Sequence, residues 1–275
     1  MLFGPKPMKA FLILFSAFLI IASHAIAQHP LEGAWEMVSI KGVNAEGEKF
    51  SDDTSHIREV KIITPTHYML IAHDVEADSL VFNRCYAGTI HIQGNKFNEL
   101  PTLSSVAIYE NVKTDFTWRI EGDKFIQSGT VTRPDGKKIV LEELIFRRIN
   151  TAQSYPNNPS NGTWKLLSSN YTTADGKSHS DTNENVIALQ IITPTHWMYV
   201  SSRDKKFEHA MGGSYTKQGK KYLPNLDFAS FPKKLWGTRT EMTEELQSNR
   251  LELKGVSVFD DGKKFTWTDV FERVK

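Results

Sequence analysis

One cysteine in 275 residues excludes an internal disulfide, so whatever fold this chain adopts is held by its cores alone. Cys85 reads as a small buried apolar residue. Neither sign of charge predominates. The 33 Lys and Arg are balanced by 32 Asp and Glu and are dispersed, which leaves no footprint for nucleic acid and no polybasic patch for anionic lipid. No apolar run reaches the ~20 residues that a bilayer span requires. G-x-S-x-G, H-E-x-x-H and paired C-x-x-C are also missing. The nearest thing to a phosphate loop, GSYTKQGKK at 213–221, has the wrong glycine spacing and no Ser or Thr after Lys220. The eight histidines beyond residue 27 are scattered without ligand spacing, so neither a metal nor a cofactor is expected.

What is present begins with an export signal. Lys6 and Lys9 precede an apolar run from Ala10 to Ala22, interrupted only by Ser16, and Ala25-Ile26-Ala27 offers the small residues of a cleavage site. The expectation is a signal peptide over residues 1–27, cleaved after Ala27. No cysteine lies nearby to take a lipid, so no stable membrane anchor is expected after cleavage, and the destination is periplasmic or secreted. Cleavage removes two lysines and no acid, leaving 31 basic against 32 acidic residues.

The chain then repeats itself. ITPTHYM at 63–69 returns as ITPTHWM at 192–198, a spacing of 129. At that spacing Pro30, Gly33, Trp35, Ser39, Gly47 and Asp52 meet Pro159, Gly162, Trp164, Ser168, Gly176 and Asp181. The spacing falls to 125 where AGTIHIQGNKF (87–97) meets GGSYTKQGKKY (212–222), then runs at 126 through Gly129 and Gly255, the two DGKK turns, and Arg147 and Arg273. NTAQSYPNNPSN (150–161), rich in Asn, Pro and Ser, reads as a linker. The expected organisation is a tandem duplication, with one domain over 28–149 and a second over 162–275.

Within each copy, short stretches rich in β-branched and aromatic residues, such as REVKII, HYMLIA and DFTWRI, are separated by turn chemistry such as TPT, QGN and EGD. Seven or eight strands per copy imply an all-β fold of antiparallel hairpins. EMTEELQSNRLELK (241–254) is rich in helix formers. Its register partner DFTWRIEGDKFIQSG is not, so 241–254 is expected to be a hairpin too.

Gly33-Ala34-Trp35 and Gly162-Thr163-Trp164 each open a copy, and each copy closes on a strand carrying arginine, EELIFRR and TDVFERV. This pattern resembles the lipocalin-like (calycin) superfamily, specifically its small secreted bacterial domains. The resemblance implies two up-and-down β-barrels, each with a G-x-W tryptophan plugging one end beneath a last-strand arginine. Carried over, Trp35 pairs with Arg147 and Trp164 with Arg273, in structural roles. A guanidinium over an indole contributes ~0.5–2 kcal/mol.

T-P-T is read as a hairpin turn, after which His67, Met69 and Ile71 share one face, matched by His196, Met198 and Val200. That face is the better kept between copies. His67 is read either as a fixture of the turn or as a contact at the ligand mouth. Glu99 is read either as a solvated carboxylate or, if it points inward, as an acid near the same cavity, with Pro224 in its place in the second copy. Trp118 is among the aromatics available to line a barrel. An eight-stranded barrel is just wide enough for one small ligand. The leading expectation is therefore a non-enzymatic carrier of a small apolar or amphipathic molecule, contacted by His67, Met69, Glu99, Trp118, His196 and Met198. Two alternatives stand beside it: an isomerase, cyclase or hydrolase using His67 with Glu99 as an acid–base pair, and an interaction module with filled barrels.

Overall fold

The structure is a computed structural model describing residues 29–77, 79–232 and 239–275. The expected signal peptide at 1–27 and Trp236 lie outside the described residues. The first copy comprises β1 (Gly33–Val43), β2 (Lys49–Asp53), β3 (Ile57–Ile63), β4 (His67–Glu76), β5 (Ser79–Gln93), β6 (Lys96–Ser104), β7 (Lys113–Glu121), β8 (Lys124–Thr132) and β9 (Lys138–Arg148). The second comprises β10 (Gly162–Thr172), β11 (Ser178–Thr182), β12 (Val186–Ile192), β13 (His196–Arg203), β14 (Lys206–Gln218), β15 (Lys221–Pro224), β16 (Phe228–Ala229), β17 (Arg239–Gln247), β18 (Arg250–Val258) and β19 (Lys264–Arg273).

Each copy is a closed antiparallel barrel. In the first, the order β1-β3-β4-β5-β6-β7-β8-β9 returns on itself through β1–β9 pairing, with β2 flanking β1. In the second, β10 pairs with β19 in the same way, and β11 flanks β10. Closure leaves the eight-stranded wall without an open edge. Residues 241–254 form the β17–β18 hairpin, turning at Ser248 with φ 53°. There the alternation of Met242, Leu251 and Leu253 into the core overrides the local preference for helix.

The changes of repeat spacing have structural causes. β4 and β5 have 10 and 15 residues where β13 and β14 have 8 and 13. Two residues are missing from each arm of one hairpin, which shortens it without turning any side chain to the other face. The spacing is thereby lowered by four. A second change corrects the expected pairing of Trp35 with Arg147. Along β9 the register slips between Glu143 and Leu141, a bulge at Glu142 with no counterpart in β19. From there the spacing is 125, so Arg148 is the residue in register with Arg273.

Arg148 lies over the Trp35 ring at 4.0 Å and Arg273 over Trp164 at 4.1 Å. Arg147 points away, its side chain 59% exposed beside Asp123. Each indole is fully buried and donates to the carbonyl four residues earlier, Trp35 to Leu31 at 2.7 Å and Trp164 to Ser160 at 2.8 Å. Each guanidinium donates to two more carbonyls of that segment, Arg148 to Glu32 and Pro30, and Arg273 to Asn161 and Pro159. Glycine precedes the motif for a steric reason. A Cβ on Gly33 would stand 2.8 Å from Arg148 Nη1, and Gly33 itself has φ +124°. The expected linker, 150–161, therefore has its second half built into the floor of the second barrel, with Asn158 and Ser160 buried.

The barrels pack against each other through the outer faces of β3–β5 and β12–β14. One apolar cluster contains Val60, Ile62, Met69, Ile71, Cys85 and Ala87 from the first, and Ile191, Met198, Val200, Ala210 and Phe228 from the second. Phe82 and Phe207, which hold equivalent places in the two copies, stack on each other at 5.6 Å with planes 3° apart. A residue that meets its own counterpart marks a pseudo-two-fold axis. Thr64 Oγ1 and Thr163 Oγ1 share a hydrogen bond across the seam at 2.9 Å. His73 Nε2 reaches Ala229 O at 2.8 Å, and Arg58 covers the Phe228 ring at 4.6 Å.

Replacing Arg148 by alanine removes a cation–π contact and the donors to two carbonyls, and should lower unfolding stability by about 2 kcal/mol. Arg147→Ala should leave the denaturant midpoint where it is. Parallel urea melts of the two variants check the assignment.

Candidate functional site

The structure separates the expected site residues into four places. Met69 and Met198 are fully buried in the seam between the barrels, not in either lumen. Strand alternation accounts for this: in β4 it is Tyr68, Leu70 and Ala72 that belong to the interior cluster, so Met69 must face out. Trp118 sits at the floor, where its Nε1 donates to Gly94 O at 3.1 Å and its ring meets His29 edge-on.

His67 and His196 face outward on the same side as the methionines and complete their turns. In each, the threonine three residues earlier exchanges hydrogen bonds with the histidine backbone, and Nδ1 meets the hydroxyl of the preceding threonine, at 2.8 Å for His67 and 2.9 Å for His196. Burial depresses both pKa values, that of His196 to about 4, so these rings are neutral at pH 7.

Of the six, Glu99 enters the lumen of the first barrel, and Trp118 packs against the interior cluster from the floor end. Glu99 shares its face with Phe97 of the interior cluster, opposite in direction to His67. The acid–base pair of His67 with Glu99 is therefore not formed: the two side chains project from opposite faces of the barrel wall.

The partner of Glu99 is a lysine. Lys61, 1% exposed, places Nζ 2.8 Å from Glu99 Oε1 and 3.2 Å from Gln127 Oε1, and 4.8 Å over the ring of Phe146. Tyr68 stands 5.8 Å from the same ammonium. Its hydroxyl is held well above the ordinary tyrosine range, first by burial and then by the charge of Glu99. Nearer the open end, buried Glu59 pairs with Arg84 at 2.6 Å. Inward-facing Leu70, Ile90, Glu99 and Leu141 keep 6–9% of their surface accessible, whereas seam residues Val60, Ile62, Ile71, Cys85 and Ala87 keep at most 1%. Other inward residues, Trp35, Ala72, Phe97, Phe125 and Phe146, are fully buried.

The second barrel acts as an internal control. At the places of Lys61, Glu99 and Gln127 it has Gln190, Pro224 and Leu253, and it closes without an ion pair there. Its own buried pair, Lys217 with Glu244, lies at the floor and ties down Asn158 and Ser160 of the connecting segment. Sequence reasoning missed Lys61 and Gln127. A signal for Lys61 existed, a polar letter at the same inward position of both copies, Lys61 and Gln190, each followed by two isoleucines. Gln127 had none.

Higher in the second barrel, Asp269 stands where the first has Leu144, and burial raises its pKa to about 6. Deeper in that lumen, Trp197 Nε1 and Tyr222 Oη are buried without a hydrogen-bond partner. A cleft of about 480 Å³ opens along the seam, lined by both T-P-T turns and by Asn161 and Arg273. The threonines and arginine there are already bonded within the turns and floor. Among the described residues, no group of His, Cys, Asp and Glu is placed to hold a metal ion.

No family model and no curated protein matches the chain. Among solved structures, it is similar to a protein of unknown function from the DUF3598 family of Nostoc punctiforme PCC 73102, at 13% identity over 88% of this chain and 96% of that one, TM-score 0.24. It is similar also to kievitone hydratase from Nectria haematococca, at 11% identity over 92% and 95%, TM-score 0.23. A third is transferrin binding protein B from serogroup B Neisseria meningitidis, at 7% identity over 89% and 77%, TM-score 0.28. Likeness at this level carries no function across, so what the site does has to be argued from this chain's own side chains.

Two measurements follow from the buried charges. Glu99→Ala strands the Lys61 ammonium and should cost roughly 3 kcal/mol or more, whereas the pair Lys61→Met with Glu99→Leu should be close to neutral; denaturant melts of the three proteins decide it. For Asp269 the folded pKa of about 6 lies above the ordinary 3.8, so the folded state holds a proton that the unfolded chain gives up. Stability should be greatest below about pH 4, fall as pH rises to about 6 and then level off. Asp269→Asn should flatten that part of the thermal-melt profile.

Proposed function

We propose that the chain is an exported, lipocalin-like carrier that binds one small amphipathic molecule in the lumen of its first barrel. The carrying observation is the Lys61–Glu99–Gln127 array inside that barrel, set where the duplicated twin does without it. Two charges taken out of water cost several kcal/mol each and repay it only with good geometry. The twin shows that barrel closure does not require them, so the array is read as serving a bound molecule. A polar head can exchange hydrogen bonds with Lys61, Glu99, Gln127 and the Tyr68 hydroxyl, while its apolar body lies among Leu70, Ile90 and Leu144. Glu59 and Arg84 stand at the approach and favour a head with both a donor and an acceptor. The apolar run and small-residue site over residues 10–27 support export.

Native mass spectrometry of the protein purified from its exporting host should show an additional mass of a few hundred daltons on the folded chain, and the Lys61→Met/Glu99→Leu variant should lose it. An unliganded wild type that also fails to bind a fluorescent fatty-acid analogue would sink the carrier reading.

A further inference from the structure

The upper lumen of the second barrel holds an acid that nothing around it neutralises. Leu253, Asp269, Ser169 and Asp181 form one cross-strand row through β18, β19, β10 and β11, and Gly255, Trp267, Tyr171 and His179 form the next row toward the mouth. Both rows face inward, because Leu251, Leu253 and Phe271 of the interior cluster share their side of the sheet. The Trp267 indole lies over Gly255, where a Cβ would come within 2.0 Å of the ring. Phe265 stands 5.3 Å from Trp267 and 5.8 Å from Tyr171, so these rings join into one aromatic wall. From β13 and β14, Tyr199 stacks on His209 at 5.5 Å. Burial, and after it the charge of Asp269, holds the Tyr199 hydroxyl above the ordinary tyrosine range, so both side chains serve the same part of the lumen.

Arg203 holds Asp181 bidentately, at 2.8 Å on each oxygen, and donates to Glu208 at 2.8 Å. That guanidinium is thereby committed. Asp269 has Ser169 as its hydrogen-bond partner, and among the described residues no cation pairs with it. With a pKa of about 6 it is mostly ionised at pH 7, whereas burial keeps His209 neutral. Three carboxylates therefore stand with one guanidinium. In the first lumen the charges balance, Lys61 against Glu99 and Arg84 against Glu59. At the places of Asp269, Ser169, Trp267 and Tyr199 that barrel has Leu144, Ile40, Leu141 and Leu70, so closure calls for none of the four. Deeper in the second lumen, Trp197 Nε1 and Tyr222 Oη belong to side chains only 6% and 2% exposed and have no hydrogen-bond partner.

We propose that the second lumen is a site for a small organic cation, an ammonium group on an aromatic or short apolar body, with the charge seated at Asp269. The ammonium supplies the counter-charge that this carboxylate lacks and donates hydrogen bonds to it. Aromatic ring faces attract a cation, and Tyr171, Trp267 and Tyr199 stand around and above the carboxylate to offer them. A hydroxyl on the body of the guest gives Trp197 Nε1 and Tyr222 Oη the kind of partner they lack. An anion would meet three carboxylates beside a guanidinium already engaged, and a neutral guest would leave Asp269 uncompensated in a recessed site. The site is independent of the array in the first barrel.

The test is isothermal titration calorimetry of the intact chain at neutral pH with tyramine and tryptamine, each beside the neutral alcohol of its own shape, tyrosol and tryptophol. At least one amine should bind, and roughly tenfold or more tightly than its alcohol. Asp269→Asn keeps the shape of the side chain and removes its charge, and it should weaken that amine by roughly tenfold or more. Tyr171→Leu, at the half-exposed rim, should weaken it measurably and covers the case in which Asp269→Asn fails to fold; thermal melts show which variants are folded. No binding of either amine at millimolar concentration overturns the proposal. So does an alcohol that binds as tightly as its amine, or wild-type affinity in either folded variant.

Discussion

A guanidinium lying on an indole, with its N–H groups spent on the carbonyls of the segment that leads into the first strand, is the interaction on which each half of this molecule turns. It joins the last strand to the first at the point where the sheet must meet itself, Arg148 to Trp35 and Arg273 to Trp164. Because the sheet closes, every strand acquires a definite inside and outside. From there the alternation of side chains dictates where each residue goes. The glycine two residues before each tryptophan leaves the space the arginine fills. Gly, Trp and Arg are thus one device rather than three separate signals.

Closure alone leaves β3–β5 and β12–β14 with two apolar faces each. The second face of each is buried against the other barrel, so the outward residues of one copy must fit those of its twin. In a pseudo-two-fold contact the same patch serves on both sides, which constrains the patch to remain alike while the lumens diverge. The ITPTH-x-M phrase shows this within seven letters. Its one altered position, Tyr68 against Trp197, faces the lumen, whereas Met69 and Met198 meet the seam.

Divergence inside the barrels is therefore where specific chemistry is found. The first interior has a lysine in contact with a carboxylate and an amide; the second has aromatic rings toward its mouth, with a raised-pKa aspartate below them. Each barrel shows that the other's additions are not needed for folding. Duplication supplies in a single chain the comparison that a set of relatives would otherwise provide.

The repeat, the turn glycines and the strand-length apolar patches are local or periodic features, and from them the sequence by itself determined an all-β chain of two like barrels, and even the hairpin at 241–254 against its helix-forming composition. Register placed Glu99 near a cavity and left open whether it faced inward or into solvent. What only the tertiary structure decided was direction and register over distance. A period of two assigns Met69 and Tyr68 to opposite faces but does not say which face is inside, because in β4 both are apolar and both are buried. A single bulged residue, Glu142, moved the closing arginine from 147 to 148, a slip invisible in a chain with two adjacent arginines. Lys61 meets Glu99 and Gln127 across 38 and 66 residues of chain, and contacts of that range are fixed by which strands become neighbours when the barrel closes, not by any pattern local to them.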